Sequence, residues 1–195
     1  MRKRGAAVAA VTASVLLVAG CSSSSDGGKD GAKPGAKKTE SAADRQAREY
    51  REAAAKDRAK MLEVAVAYQK ATALHDGETS CRMMTEEGRG LHGSSHEACV
   101  KFLMPLDADV RKTVEEASFS VTGDPVDVPS IGDHPAGTGV MVTEQSKPDG
   151  HTSYHRTALR MVKVQGTWLV DQDEDVYDSE MKHSNPVFSA LMRSH

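Results

Sequence analysis

Leu159-Arg160-Met161-Val162-Lys163-Val164-Gln165-Gly166-Thr167-Trp168-Leu169-Val170 is two β-patterned runs on either side of Gln165-Gly166. That dipeptide suits a two-residue hairpin turn, because glycine takes up φ > 0 without steric cost. The pattern predicts antiparallel strands over about Thr152–Val164 and Thr167–Asp173. Facing Val164 with Thr167 sets the register, and side chains then alternate between two faces. One face collects Leu159, Met161, Trp168 and Val170, with Thr157 and His155 toward its far end. The other collects Val162, Val164 and Leu169, then Arg160 opposite Asp171 and Arg156 opposite Asp175. The first face is the expected seat of a covering helix. The second, half apolar and half charged, suits partial cover or a homodimer contact through the sheet face. A one-residue slip would exchange the faces.

Upstream of the hairpin the period of two continues as far back as Phe119. Phe119-Ser120-Val121 begins a strand, Gly123-Asp124-Pro125 breaks it, and Val126 and Val128 extend it. Pro129 to Gly137 reads as loop, Thr138 to Gln145 as a strand, and Lys147-Pro148-Asp149-Gly150 as a turn. Before Ala117 the pattern is helical. Ser41-Ala42-Ala43-Asp44 fits a capping box, and a long helix is expected to about His75, with Asp76-Gly77 as its stop. Its first half is charged nearly all round, with Asp44/Arg48 and Glu52/Lys56 in the favourable i,i+4 order. Its second half carries a broad apolar stripe through Met61, Leu62, Val64, Ala65, Val66, Tyr68, Ala71 and Leu74. A short helix over Glu78–Glu86 and another opened by Ser94-Ser95-His96-Glu97 should follow, the latter ended or kinked at Pro105. The fold class is therefore α+β: a long N-terminal helix and short helices packed on a curved antiparallel sheet. This domain occupies residues 43–175 and is followed by a C-terminal tail over 176–195. Asn185-Pro186 cannot continue a helix, so residues 187–195 are expected to form one short helix at most or to be disordered.

The N-terminus carries a different signal. Arg2, Lys3 and Arg4 precede an apolar run from Ala6 to Val18, shorter than the ~20 residues a spanning helix needs and laid out as a secretory signal. Leu17-Val18-Ala19-Gly20-Cys21 resembles the lipobox of bacterial lipoproteins. The resemblance implies removal of residues 1–20 and a thioether-linked diacylglycerol on Cys21. The expected location is then extracytoplasmic, anchored by lipid to the outer leaflet of the cell membrane. Residues 21–42, rich in Ser, Gly, Ala and Lys, read as a flexible tether with a reach of roughly 25 Å.

The chain's formal charge is −3, and from Ser41 onward 18 basic residues face 25 acidic ones. That balance argues against nucleic acid as a partner and against direct adhesion to anionic lipid. Of the three cysteines, lipidation of Cys21 leaves Cys81 and Cys99. Outside the cytoplasm such a pair oxidises, and closing a loop of this size is worth roughly 3 kcal/mol. The competing reading is a zinc site, since Cys81, His92, His96 and Cys99 form C-x10-H-x3-H-x2-C. Export favours the disulfide. Asp171, Asp173 and Asp175 fall on calcium-loop positions, but Val176 and Lys182 occupy the places that need Gly and Glu. No metal site and no cofactor is expected from these patterns.

The long helix, the short helices and a sheet ending in a Gly-Thr-Trp hairpin resemble the nuclear transport factor 2-like (cone-shaped α+β) superfamily. The stretch Leu159–Val170 is similar to the final hairpin of many members. His75-Asp76-Gly77-Glu78-Thr79-Ser80-Cys81 is similar to the entry into the short helices in exported lipoprotein members, with Asp-Gly in place of Gly-Asp. The resemblance implies a cone that either carries a polar residue for isomerase- or cyclase-like proton transfer or serves as a binding module. No catalytic residue matches by motif. Tyr68, His155 and Trp168 are the candidate ligand-binding residues, His155 because it shares the inner face with Leu159, Met161 and Trp168. The expected role is a lipid-anchored binding or assembly module for an unknown protein or small-molecule ligand. A pocket enzyme and a metal-binding lipoprotein, suggested by eight histidines and nine methionines, are the alternatives.

Overall fold

The computed structural model of the chain describes residues 40–90, 93 and 95–193. The leader, Cys21, the tether up to residue 39, and His92 and Ser94 lie outside the described residues.

The hairpin that opened the sequence reading is the spine of the sheet. β4 (Ser153–Val164) and β5 (Thr167–Asp175) flank Gln165 and Gly166, both at positive φ (49° and 84°) as a type I′ turn requires. β3 (Gly137–Ser146) pairs antiparallel with β4. On its other edge β3 receives β1 (Ser118–Val121) along Val142–Gln145 and β2 (Val126–Val128) along Gly137–Gly139. The result is an open five-stranded antiparallel sheet.

The expected register holds from Val164↔Thr167 to Met161↔Val170 and then shifts by one. Arg160 faces Gln172 rather than Asp171, and Thr157 rather than Arg156 faces Asp175. Asp171 is the extra residue of a β-bulge, buried at 1 % exposure. A straight two-by-two extrapolation carries no information about such an insertion.

The long helix α1 (Ala42–Ala73) starts as its sequence predicts, with the Ser41 hydroxyl accepting from the Asp44 N–H at 3.1 Å. It stops one residue before the expected Asp76-Gly77. His75 takes the left-handed position at φ 53°, its N–H donating to Thr72 O (2.9 Å) while the Asp76 N–H donates to Ala71 O (2.8 Å). These are the two bonds of a Schellman motif. Asp76 is free to cap the next helix, α2 (Gly77–Arg82), by accepting from the Thr79 N–H.

The single helix expected over Glu78–Glu86 is two. Between α2 and α3 (Glu86–Arg89) the chain runs beside β5, where the Val170 N–H donates to Met83 O and the Thr85 N–H to Val170 O. Those bonds occupy the outer edge of β5. α4 (His96–Phe102) is capped by Ser95, and α5 (Ala108–Glu115) follows Pro105. Cys81 and Cys99 are joined by a disulfide with Cα atoms 6.0 Å apart, stapling α2 to α4. Gly77 allows that approach, since a Cβ there would lie 2.9 Å from Val100 O.

The sheet is buried on both faces at its centre, which is why Gly139–Val142 and Thr157–Val162 are buried without alternation. On the inner face Met61, Ala65 and Tyr68 of α1 pack with Met84, the disulfide, Val140, Val142, Leu159, Met161 and Val170. Each large apolar side chain so enclosed contributes roughly 1.5–3 kcal/mol of transfer free energy. On the outer face Val128, Met141 and Ala158 meet Val176, Val187, Ala190 and Leu191. The last three belong to α6 (Pro186–Leu191), which has Pro186 in its first turn and is capped by the Asn185 side chain. Residues assigned from the sequence to a C-terminal tail thus cover part of the second face. Around α6 the fit is close: a Cβ on Gly139 would sit 2.7 Å from Val187 Cγ1.

Candidate functional site

The three residues proposed from sequence to bind a ligand lie at different levels of the inner face. Trp168 stands near the hairpin turn. Its Nε1–H donates to Asp57 Oδ1 at 3.2 Å, and Lys163 Nζ lies over its ring at 5.4 Å while also bonding Asp57. The Lys163 ammonium, helped by the indole donor, holds the Asp57 carboxyl below the usual carboxylate range. This trio pins α1 to the hairpin.

Tyr68 lies deeper, 1 % exposed, with its hydroxyl 3.7 Å from Met84 Sδ. Burial, and then the negative charge of Asp173, push its phenol well up, so it stays protonated. His155 stands at the opposite end of β4 and is exposed. Its Nε2 is 2.9 Å from Asp175 Oδ1, and Glu144 Oε2 is 4.0 Å from its Nδ1. The eight residues from Lys163 to His155 span roughly 26 Å of extended strand. Tyr68, His155 and Trp168 therefore do not line one pocket.

A second constellation lies on the other face and was not read from the sequence. Arg160 is completely buried. Its guanidinium donates to Gln172 Oε1 (3.1 Å), Pro129 O (2.6 Å), Pro135 O (2.9 Å) and Leu191 O (3.4 Å). Burial lowers its pKa and the charge of Asp171 opposes that shift. The bulged Asp171 accepts from the Thr85 hydroxyl (2.8 Å) and pairs with His134 Nδ1 (2.8 Å). The network ties the Pro129–Gly137 loop and α6 to the sheet. Its one sequence signal is an arginine inside the apolar run Thr157–Val162. Its polar atoms are turned toward backbone carbonyls and one another, which makes it a structural clasp.

A shallow apolar surface lies along α1 beside the edge strand β1. Ala59, Leu62, Val66 and Ala67 of α1 and Val121 of β1 line an apolar groove of about 520 Å³, with Glu63 and Lys70 also on its wall. Leu62 and Val66 are half-buried; Ala59, Glu63, Ala67 and Lys70 are exposed. The spacing explains this arrangement. Residues 59, 62, 63, 66, 67 and 70 form one helical stripe, adjacent to the stripe of Met61, Ala65 and Tyr68 that faces the core. The apolar side of α1 is one broad stripe, of which only part faces the sheet beneath it. The sheet ends at β1, so one flank of the band overhangs. Among the described residues no group of three His, Cys, Asp or Glu side chains is placed to hold a metal ion. Among them, too, no helix is long and apolar enough to cross a membrane.

No protein-family model, no curated protein and no solved structure matches the chain.

Proposed function

We propose that this protein is a lipid-anchored extracytoplasmic binding or assembly module that engages a protein through the groove between α1 and β1. The observation that carries the reading is the groove itself. It is an apolar surface on a domain whose inner sheet face is otherwise filled by Leu159, Met161, Val140, Val142 and Val170. An exposed apolar surface rimmed by charge is characteristic of an interaction site. The disulfide between Cys81 and Cys99 supports an oxidising compartment, and the lipobox-like run ending in Cys21 supplies the membrane attachment. The cone likeness to nuclear transport factor 2-like domains is compatible with the helix-on-sheet arrangement and belongs to the same proposal.

Metabolic labelling with radioactive palmitate, combined with protease treatment of intact cells, tests the placement. The reading expects label on the wild-type chain, none on Cys21→Ser, and digestion of the domain from outside. A chain that takes up no label and is protected from external protease would overturn it.

A further inference from the structure

Resting on that reading of the groove, we propose that its occupant is a second copy of this chain, docked through α1 in antiparallel orientation about a two-fold axis between Val66 and Ala67. The argument starts from charge. Glu63 and Lys70 are exposed on the groove wall, and among the described residues no ion pair involving either is found. They lie seven residues apart, two turns along the same stripe, with Val66 and Ala67 midway between them. On an antiparallel helix of the same sequence, a dyad at that midpoint sets Glu63 against the second copy's Lys70 and Lys70 against the second copy's Glu63. Each charge then stands about 5 Å along the axis from the dyad. One symmetric contact therefore forms both ion pairs, as an isologous interface requires. The self-complementary order of these two charges is the charge match that a second copy offers.

Packing points the same way. Ala59 and Ala67 leave room on the stripe for close helix approach, while Leu62 and Val66 supply the ridge that enters the facing groove. Val121 at the sheet edge lines the groove beside them. Anchoring through Cys21 would confine both copies to one membrane surface, which raises their effective concentration. The contact uses the edge of the sheet and the flank of α1, and leaves α6 on the outer face undisturbed.

Sedimentation of the detergent-solubilised full chain, with Cys81–Cys99 intact, tests the proposal over a concentration range of about 1–100 μM. The expected result is a concentration-dependent dimer. Glu63→Lys alone and Lys70→Glu alone should each weaken it about tenfold or more, because each sets two like charges face to face. The double variant Glu63→Lys/Lys70→Glu should return to within about threefold of the wild type, since the pairs re-form with their signs exchanged. Unchanged Trp168 emission in each variant verifies that the fold is retained. A chain that stays monomeric throughout, or a dimer indifferent to both single changes, or a double variant as weak as the singles, would overturn the second copy as occupant. A monomer that still takes palmitate on Cys21 would remove this inference and leave the anchored module standing.

Discussion

Replacing Arg160 by methionine tests whether the buried clasp is as costly to break as its geometry implies. Methionine keeps most of the aliphatic volume and removes the guanidinium. Three carbonyls, Pro129 O, Pro135 O and Leu191 O, lose their donor, as does Gln172 Oε1. Asp171, at 1 % exposure, loses the nearby positive charge and keeps only Thr85 and His134. Removing one partner from a buried charged network costs about 3–5 kcal/mol, against a total stability of about 5–15 kcal/mol for a domain of this kind. The single tryptophan, Trp168, joins the hairpin to α1 and reports unfolding by its emission. Urea titration should show a midpoint lowered in proportion to that loss, with an unchanged slope. Adding Asp171→Asn to Arg160→Met should recover part of the loss, because the remaining buried charge is then gone. A loss below about 1 kcal/mol for Arg160→Met would refute the reasoning, as would a double variant no more stable than Arg160→Met alone.

Three further outcomes follow from other parts of the fold. Cys81→Ala/Cys99→Ala should lose roughly 3 kcal/mol, seen as a lower thermal midpoint that wild type reaches only when reduced. Leu191→Ala, which empties a fully buried position on α6, should cost about 2–5 kcal/mol in urea titration and raise hydrogen exchange at Met141 and Ala158. Asp76→Ala removes the α2 cap and should cost about 1 kcal/mol at neutral pH. Bonds from the Thr79 hydroxyl and N–H favour the ionised Asp76 and lower its pKa in the folded state. That stability is complete above the unfolded-state value near 3.9 and is lost as pH falls through the lower folded value. The stability curves of wild type and Asp76→Ala should therefore converge in acid.

What could be read from the sequence was local. Ser41 with Asp44 marked the start of α1, because a cap involves residues three apart. Gln165-Gly166 fixed the turn and the first four pairs of the hairpin, because a two-residue loop leaves no slack. The pairing of Cys81 with Cys99 followed from counting thiols: with Cys21 set aside as the expected lipid site, two cysteines remain. Most of the readings that failed depended on distant partners. The bulge at Asp171 is held by Thr85 and His134, some 86 and 37 residues away, so alternation in β5 alone could not announce it. His75 in the left-handed position replaces the glycine that the stop of α1 was expected to use. The role of the last residues was hidden because Val187 and Leu191 become core only when Gly139 lets α6 down onto β3. The α1 groove follows from a mismatch of widths, a broad apolar band over a sheet that ends at β1, and needs both elements in place to be seen.

The claim that the α1/β1 groove is the working surface is tested most directly by site-specific photo-crosslinking on the full chain in its native cells. A crosslinking residue at Ala67, in the groove, is compared with one at Asp149, in the exposed turn before β4. The account predicts a discrete protein adduct from position 67, at twice the chain's mass if the partner is a second copy, and none from position 149. Equal yields from the two positions, or no adduct from 67 while 149 reacts, would contradict it.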